Sequence, residues 1–257
     1  MLLCIDIGNS HIYGGVFLND KIQLYFRHTA KACTSDEIGI FLINVLKENH
    51  CQPTNITQIS ICSVVPQLDY SVRAACVKYF HIEPLFLHYN SQKILNLKYH
   101  NPIEIGADRI ANAIAAVHFI PNKNLIIIDF GTATTFCVIT SQKEYLGGAI
   151  LPGLRLSMEA LSNNTAKLPN VEIIKSEHII GKSTIESIQS GIFYGAIGAC
   201  REIIKHINNE ILHTTNEQNS YIIATGGFAG LFEQQNIFNQ LMPDLVLHGI
   251  RLGTIVL

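Results

Sequence analysis

Two short polar turns carry residue types that could hold a phosphate group. The first runs from Asp6 to Ser10 and the second from Asp129 to Thr132, and each separates two apolar runs that predict strands. A glycine between strands permits a tight turn in which backbone N–H groups point at an anion. The aspartate could hold a cation that bridges to the phosphate, or orient a coordinated water. The alternative is a pair of structural turns whose polar side chains satisfy local backbone groups.

The two turns are copies of one pattern. Asp6 corresponds to Asp129 without gaps at an offset of 123 residues (129 − 6), close to half of the 257-residue chain. A period this long is not a solenoid repeat, so we interpret it as a duplicated domain. The repetition favours phosphate binding, and two such turns facing each other across a cleft would hold a nucleotide tail from both sides.

The segment from Gly106 to Arg109 offers a carboxylate at the start of a predicted helix. Asp108 could be the helix N-cap, worth about 0.5–2 kcal/mol over alanine. It could instead be the general base that accepts a proton from an acceptor hydroxyl, with Arg109 holding an anionic group bidentately. Spacing alone leaves both interpretations open.

Three further features have a structural and a functional interpretation. Ser183 or Thr184 is expected to cap the longest helix, while contact with a substrate hydroxyl stays open. The glycine turn of Tyr221–Gly230 could close over a base or a ribose, or could only connect a strand to a helix. His11 could contact a nucleotide, or it could pack on the surface or in the core.

Composition and missing motifs exclude several classes of protein. The chain has no Walker loop, no G-x-G-x-x-G fingerprint and no zinc-ligand spacing. A net charge of −2 and a pI near 6.6 give no electrostatic expectation of nucleic acid or membrane partners. Seven scattered cysteines fit a reduced, cytoplasmic protein better than a disulfide framework.

Strands alternate with helical patterns in both halves of the chain, which predicts a mixed α/β fold. Each half opens with three strands, and helices follow. We place the N-terminal α/β lobe at residues 1–120 and the C-terminal α/β lobe at residues 121–257.

Several blocks in a constant order resemble one known family. They include DIGNS at 6–10, GADRIANAIAA at 106–116, IDFGTATT at 128–135, GGAILPGLRLSMEAL at 147–161 and TGGFA at 225–229. The chain resembles the type III pantothenate kinases, within the acetate/sugar kinase, Hsp70 and actin superfamily, over nearly its full length. The resemblance implies duplicated ribonuclease H-like (actin-like) lobes, with mixed sheets flanked by helices and a cleft between the lobes.

The resemblance also implies the activity and the site. It predicts ATP-dependent phosphorylation of pantothenate to 4′-phosphopantothenate, the first step of coenzyme A biosynthesis, with Mg²⁺ accompanying the ATP. Asp108 would be the catalytic proton acceptor, and Asp129 would hold a monovalent cation, K⁺ or NH₄⁺. The ATP-binding residues would be Asp6, Ile7, Gly8, Asn9, Ser10, His11, Ile12, Tyr13 and Thr132. The pantothenate-binding residues would be Tyr99, Gly106, Ala107, Asp108, Arg109 and Thr184, in a homodimer that completes the site across its interface.

One departure affects the first turn. Ser10 and His11 stand where the family more often has threonine and asparagine. Because both keep hydrogen-bonding capacity, we expect nucleotide binding to be retained. Competing hypotheses are a sugar or acid kinase, a polyphosphate-type phosphohydrolase, and a regulatory or binding protein.

Overall fold

The chain forms two compact units. The computed structural model describes residues 1–215 and 219–255. The first unit comprises Met1–Asn96, His100–Ala115 and Leu245–Leu257, and the second comprises Leu97–Tyr99 and Ala116–Asp244. The predicted division placed everything after residue 120 in the second lobe, whereas the final helix belongs to the first unit. Residues 216–218, 256 and 257 of that predicted lobe lie outside the described residues.

The first unit is built on a five-stranded mixed sheet. Its strands are β1 (Leu2–Ile7), β2 (His11–Leu18), β3 (Lys21–Thr29), β4 (Gln58–Ser63) and β5 (Leu85–Phe86). The order is β3-β2-β1-β4-β5; β1 and β3 are antiparallel to β2, and β1, β4 and β5 are mutually parallel. The three strands predicted to open this half are confirmed, and they form an antiparallel meander.

One face of this sheet is covered by two helices, α1 (Ser35–Glu48) and α2 (Pro66–Phe80). A capping box starts α1: Thr34 Oγ1 accepts from the Glu37 N–H at 3.2 Å, and Glu37 Oε2 accepts from the Thr34 N–H at 2.7 Å. Alternate residues of β1 enter the apolar core against these helices. They are Leu3, Ile5 and Ile7.

The opposite face of the sheet meets α6 (Leu245–Ile255), and α6 packs against α3 (Ala107–Phe119), whose residues as far as Ala115 belong to this unit. Thr254 Oγ1 donates a hydrogen bond to Ser60 Oγ at 2.9 Å. The ring of Phe17 meets that of His248 edge-on, with centroids 5.3 Å apart. Gly249 permits close contact between the helices, since a Cβ there would lie 1.8 Å from the Ala111 carbonyl oxygen. These contacts place α6 with the first unit.

The second unit repeats the topology of the first. Its strands are β7 (Leu125–Phe130), β8 (Ala133–Ile139), β9 (Glu144–Pro152), β10 (Tyr221–Thr225) and β11 (Gln240–Leu241), and the short β6 (Asn96–Leu97), of which Leu97 lies in this unit, joins their sheet. Their order is β11-β10-β7-β8-β9-β6. The run β9-β8-β7-β10-β11 has the same order and directions as β3-β2-β1-β4-β5. The duplication predicted from the two turns is confirmed by the strand order.

Two α-helices pack in the second unit, α4 (Leu154–Asn163) and α5 (Thr184–Thr215). Its core is aromatic: the ring of Phe232 stacks on Phe130 at 4.7 Å and on Phe193 of α5 at 5.4 Å between centroids. Short 3-10 helices occupy Pro53–Asn55, Pro102–Glu104 and Ala229–Gln235. Within the described part of the chain, no helix combines the length and apolarity that a membrane crossing requires.

Candidate functional site

The first polar turn connects β1 to β2 and is closed by its own backbone. The Gly8 N–H donates to the His11 carbonyl at 3.0 Å, and the Ser10 carbonyl accepts from the Ala30 N–H at 3.1 Å. The side chains of Asn9 and His11 are exposed, and that of Ser10 is half-buried. Three polar side chains are therefore presented on a turn of fixed shape.

The remaining predicted ATP-binding residues of this segment divide between two faces. Ile7 and Ile12 are 0% and 4% exposed and belong to the core beneath α1 and α2, so only their backbone could meet a nucleotide. Asp6 and Tyr13 are direct partners in the antiparallel pair of β1 and β2, and both are half-buried. Their side chains share the opposite face of the sheet.

A buried thiol contacts the aspartate of the first turn. Cys62 of β4 is the direct partner of Asp6 in the parallel pair with β1, and its Sγ donates a hydrogen bond to Asp6 Oδ1 at 3.0 Å. Burial raises the pKa of Cys62 well above its usual value, and the charges of Asp6 and Asp108 raise it further. The two carboxylates therefore lie close to one thiol.

Asp108 lies in the first turn of α3, which begins at Ala107. The Gly106 carbonyl accepts from the N–H groups of Arg109 and Ile110 at 3.1 and 3.2 Å, so Gly106 occupies the N-cap position. Asp108 Oδ1 accepts from the adjacent Arg109 N–H at 2.7 Å, whereas an N-cap side chain would accept from a residue two or three positions on. The interpretation of Asp108 as the N-cap is wrong.

The surroundings of Asp108 favour its protonated form more than water does. A Cβ on Gly106 would lie 2.5 Å from Asp108 Oδ1 and 3.4 Å from the side chain of Val64. Burial raises the pKa of Asp108, while the backbone N–H and the guanidinium of Arg109 oppose the rise. A carboxylate with a raised pKa is better suited to accept a proton than an ordinary surface aspartate.

The second polar turn connects β7 to β8 in the second unit. The Gly131 N–H donates to the Ala133 carbonyl at 3.2 Å, and the Thr132 carbonyl accepts from the Gly153 N–H at 3.1 Å. Asp129 and Thr132 are half-buried. The turn is thus fixed at both ends and carries a carboxylate and a hydroxyl, as the first turn does.

The third glycine turn lies beside Asp129. Thr225, the last residue of β10, is the direct partner of Asp129 in the parallel pair with β7. Gly226 has φ +91°, and a Cβ there would lie 2.4 Å from Asp129 Oδ1; a Cβ on Gly131 would lie 3.3 Å from the same atom. Two glycines therefore form a cradle around one carboxylate oxygen.

The predicted pantothenate-binding residues of the second unit stand in two places. The Tyr99 ring meets Tyr145 edge-on at 6.4 Å, and a Cβ on Gly147 would lie 3.3 Å from it. Thr184 is exposed at the first position of α5, and Ser183 is the N-cap, since its Oγ accepts from the Glu186 N–H at 3.2 Å. The expectation of a cap at Ser183 or Thr184 is confirmed.

A large open groove runs along the first half of α5. Its volume is about 990 Å³, and β8, β9, α4 and α5 line it. Thr184 lies at its edge with Lys182 and Ser183, and the rest of its wall is mainly apolar. Small residues of α5 form part of this wall: Gly191, Gly195, Ala196 and Ala199.

The structure groups the predicted residues by unit. Asp6–Tyr13 and Gly106–Arg109 lie in the first unit, and Tyr99, Asp129, Thr132 and Thr184 lie in the second. The sequence alone did not single out Cys62, and it left two interpretations of the turn at Gly226 open. The thiol of Cys62 inside the apolar run ISICSVV was a weak signal in the sequence. Only the register of the parallel strands shows that Cys62 is the partner of Asp6.

Comparison with known proteins gives one consistent family. The family model for type III pantothenate kinases matches residues 2–206. The chain is 63% identical over 256 residues to the type III pantothenate kinase of Legionella pneumophila, covering 100% of this chain and 99% of that relative. It is 47% identical over 253 residues to type III pantothenate kinase 1 of Francisella tularensis, covering 98% of each.

A solved structure agrees with the fold. The ROK hexokinase from Thermus thermophilus superposes with a TM-score of 0.50 at 11% identity, covering 99% of this chain and 98% of that one. This likeness concerns the duplicated α/β fold alone. The family match and the full-length relatives decide the assignment: the chain belongs to the type III pantothenate kinase family.

Proposed function

We propose that this chain phosphorylates pantothenate with Asp108 as the proton acceptor. As a type III pantothenate kinase it transfers a phosphoryl group from ATP to pantothenate, giving 4′-phosphopantothenate for coenzyme A biosynthesis. The observation that carries the role of Asp108 is its partly buried carboxylate, whose pKa is raised and whose Oδ1 is oriented by the Arg109 N–H at 2.7 Å. Such a group accepts the hydroxyl proton as the γ-phosphoryl group moves in line.

The first turn is proposed to hold the ATP phosphates. Backbone N–H groups and the side chains of Asn9, Ser10 and His11 supply neutral donors on a turn of fixed shape. Asp6 offers a carboxylate to the Mg²⁺ that accompanies ATP, directly or through water. In the second unit, Thr132 is proposed to bind ATP through its hydroxyl or backbone.

Asp129 is proposed to hold the monovalent cation. In residues 1–215 and 219–255, no three His, Cys, Asp or Glu side chains are grouped as a metal site. A single carboxylate suits a weakly held K⁺ or NH₄⁺ better than a transition metal. The glycine cradle at Gly131 and Gly226 fits this role, because any Cβ there would crowd Asp129 Oδ1. The cation would offset phosphate charge.

Pantothenate is proposed to contact Tyr99, Gly106–Arg109 and Thr184, and the enzyme is proposed to be a homodimer. The groove along α5 supports the proposal of a homodimer, because its apolar wall and small residues suit contact with a second copy of the chain. Thr184 at its edge would then lie near the dimer interface. We also propose a cytoplasmic location, which is consistent with all seven cysteines being present as thiols.

A coupled kinase assay with MgATP and pantothenate tests the function, run with K⁺, with NH₄⁺ and with Na⁺ alone. We expect ADP formation that depends on pantothenate and is stimulated by K⁺ or NH₄⁺. Sugars and short-chain acids serve as alternative acceptors, and a reaction without acceptor measures hydrolysis. Turnover with another acceptor only, or phosphate release without any, would contradict the proposal.

A further inference from the structure

Four side chains form a row across the sheet of the first unit. Arg27 of β3 is the direct partner of Tyr13, Tyr13 is the partner of Asp6, and Asp6 is the partner of Cys62. Direct cross-strand partners project to the same face of a sheet. The row therefore places a guanidinium, a phenol, a carboxylate and a thiol side by side on the face that carries the proposed ATP-binding side chains.

The guanidinium of Arg27 is held by an aromatic ring. Its Cζ lies 4.7 Å from the centroid of the Tyr13 ring, and that ring stacks on Tyr25 with an interplanar angle of 4°. A cation over the face of an aromatic ring is attracted to it, and the N–H groups of the guanidinium can still donate to a ligand. Arg27 is thus a positioned cation although its side chain is exposed.

No carboxylate of residues 1–215 or 219–255 neutralises Arg27 in an ion pair. The first turn offers neutral donors, and Asp6 and Asp108 add negative charge to the same region. A nucleotide tail carries several negative charges, so positive charge beyond the Mg²⁺ proposed at Asp6 and the guanidinium of Arg109 would stabilise it further. Arg27 supplies one on the same face.

Strand geometry brings Arg27 close to the turn. Thr29 of β3 is the partner of His11, and the Ala30 N–H donates to the Ser10 carbonyl at 3.1 Å, so β3 ends beside the turn. Arg27 is two residues earlier, roughly 6.6 Å along the strand. An arginine side chain can extend over that distance toward an anion at the turn.

We propose that Arg27 is a further ATP-binding residue, which donates from its guanidinium to the phosphate chain. The proposal rests on the proposed function of the first turn as the ATP phosphate site. It assigns Tyr13 a second task, because the Tyr13 ring orients the guanidinium that contacts the phosphates.

The test compares Arg27→Gln and Arg27→Lys with the wild type. The apparent KM for MgATP is measured at saturating pantothenate, and equilibrium dialysis measures the affinities for ATP and for adenosine. We expect Arg27→Gln to weaken ATP binding by about ten- to hundredfold, as for loss of a charge-assisted hydrogen bond, with adenosine affinity unchanged. Arg27→Lys keeps the charge but loses the planar fork, so its effect should be intermediate.

Arg73→Gln is the matched control. Arg73 is an exposed arginine of α2 in the same unit, paired with Glu83, and we expect its loss to leave the KM for MgATP unchanged. If the wild type is active and Arg27→Gln binds ATP as tightly as the wild type does, the role of Arg27 is overturned while the proposed function stands. Equal losses for ATP and adenosine would overturn the phosphate contact. A folded wild type without pantothenate-dependent turnover would overturn the proposed function itself.

Discussion

The thiol of Cys62 donates a hydrogen bond to Oδ1 of Asp6 at 3.0 Å, between paired residues of β4 and β1. The thiol stays protonated because burial and two nearby carboxylates raise its pKa well above the usual value. It therefore acts as a donor that fixes the direction of the Asp6 carboxylate. Because Asp6 is proposed to meet the Mg²⁺ of ATP, we expect this orientation to contribute to the catalytic rate.

We expect Cys62→Val to reduce kcat/KM for MgATP by roughly tenfold, because a hydrogen bond to a charged group is worth about 1.5–3 kcal/mol and a thiol, as a weak donor, falls at the lower end. Cys62→Ser keeps a hydrogen-bond donor at this position, so its kcat/KM for MgATP should remain within about threefold of the wild-type value. Steady-state kinetics at saturating pantothenate checks both. Cys76→Val, which replaces a buried thiol of α2, is the control for packing. Equal activity of the valine and serine variants at position 62 would argue against orientation by the thiol.

Asp108→Asn should reduce kcat by about 10²–10⁴-fold, the usual contribution of a general base. Asparagine keeps an oxygen that can accept from the Arg109 N–H, so the start of α3 should be intact. Steady-state kinetics measures the loss of kcat, and a circular dichroism spectrum checks that the fold is intact. Normal turnover in this variant would show that Asp108 does not accept the proton.

The same variant should change how stability depends on pH. Because the folded protein raises the pKa of Asp108, this group contributes stability that is fully present below its unfolded pKa. That contribution is lost as pH rises through the folded pKa. Asp108→Asn cannot ionise, so its stability relative to wild type (its free energy of unfolding minus that of wild type) should be higher at pH 7 than near pH 3. Urea unfolding at the two pH values measures this difference, and a difference of opposite sign would contradict the raised pKa.

Gly226→Ala should impair the proposed cation site. The residue has φ +91°, and a Cβ would lie 2.4 Å from Asp129 Oδ1 and 2.7 Å from the Phe130 backbone. We expect a loss of about 1–3 kcal/mol in unfolding free energy, from backbone strain, and weaker stimulation by K⁺ or NH₄⁺. Gly227→Ala is the neighbouring control, since no atom lies within 4 Å of its added Cβ. The measurement is activity as a function of K⁺ concentration in both variants. Identical curves for the two variants would show that Gly226 does not contribute to the cation site.

The sequence by itself determined the duplication and most of the elements. The matching turns at Asp6 and Asp129 predicted two copies of one unit. A glycine turn between two apolar runs is a local pattern, so it can be recognised without knowing any long-range contact. The three-strand meander, the helices and the cap at Ser183 are likewise encoded within a few residues of each other. The ordered blocks along the chain, of which the segment around Asp108 is one, identified the family.

Only the tertiary structure decided which distant residues meet. The pairing of Asp6 with Cys62, and of Asp129 with Thr225 beside Gly226, depends on the register of parallel strands joined by long connections, which no local pattern specifies. The environment of Asp108 could not be derived either, since burial and the N–H of Arg109 set its pKa and distinguish it from a helix cap. The return of α6 to the first unit has the same cause: Gly249 and Thr254 find their partners through long-range packing.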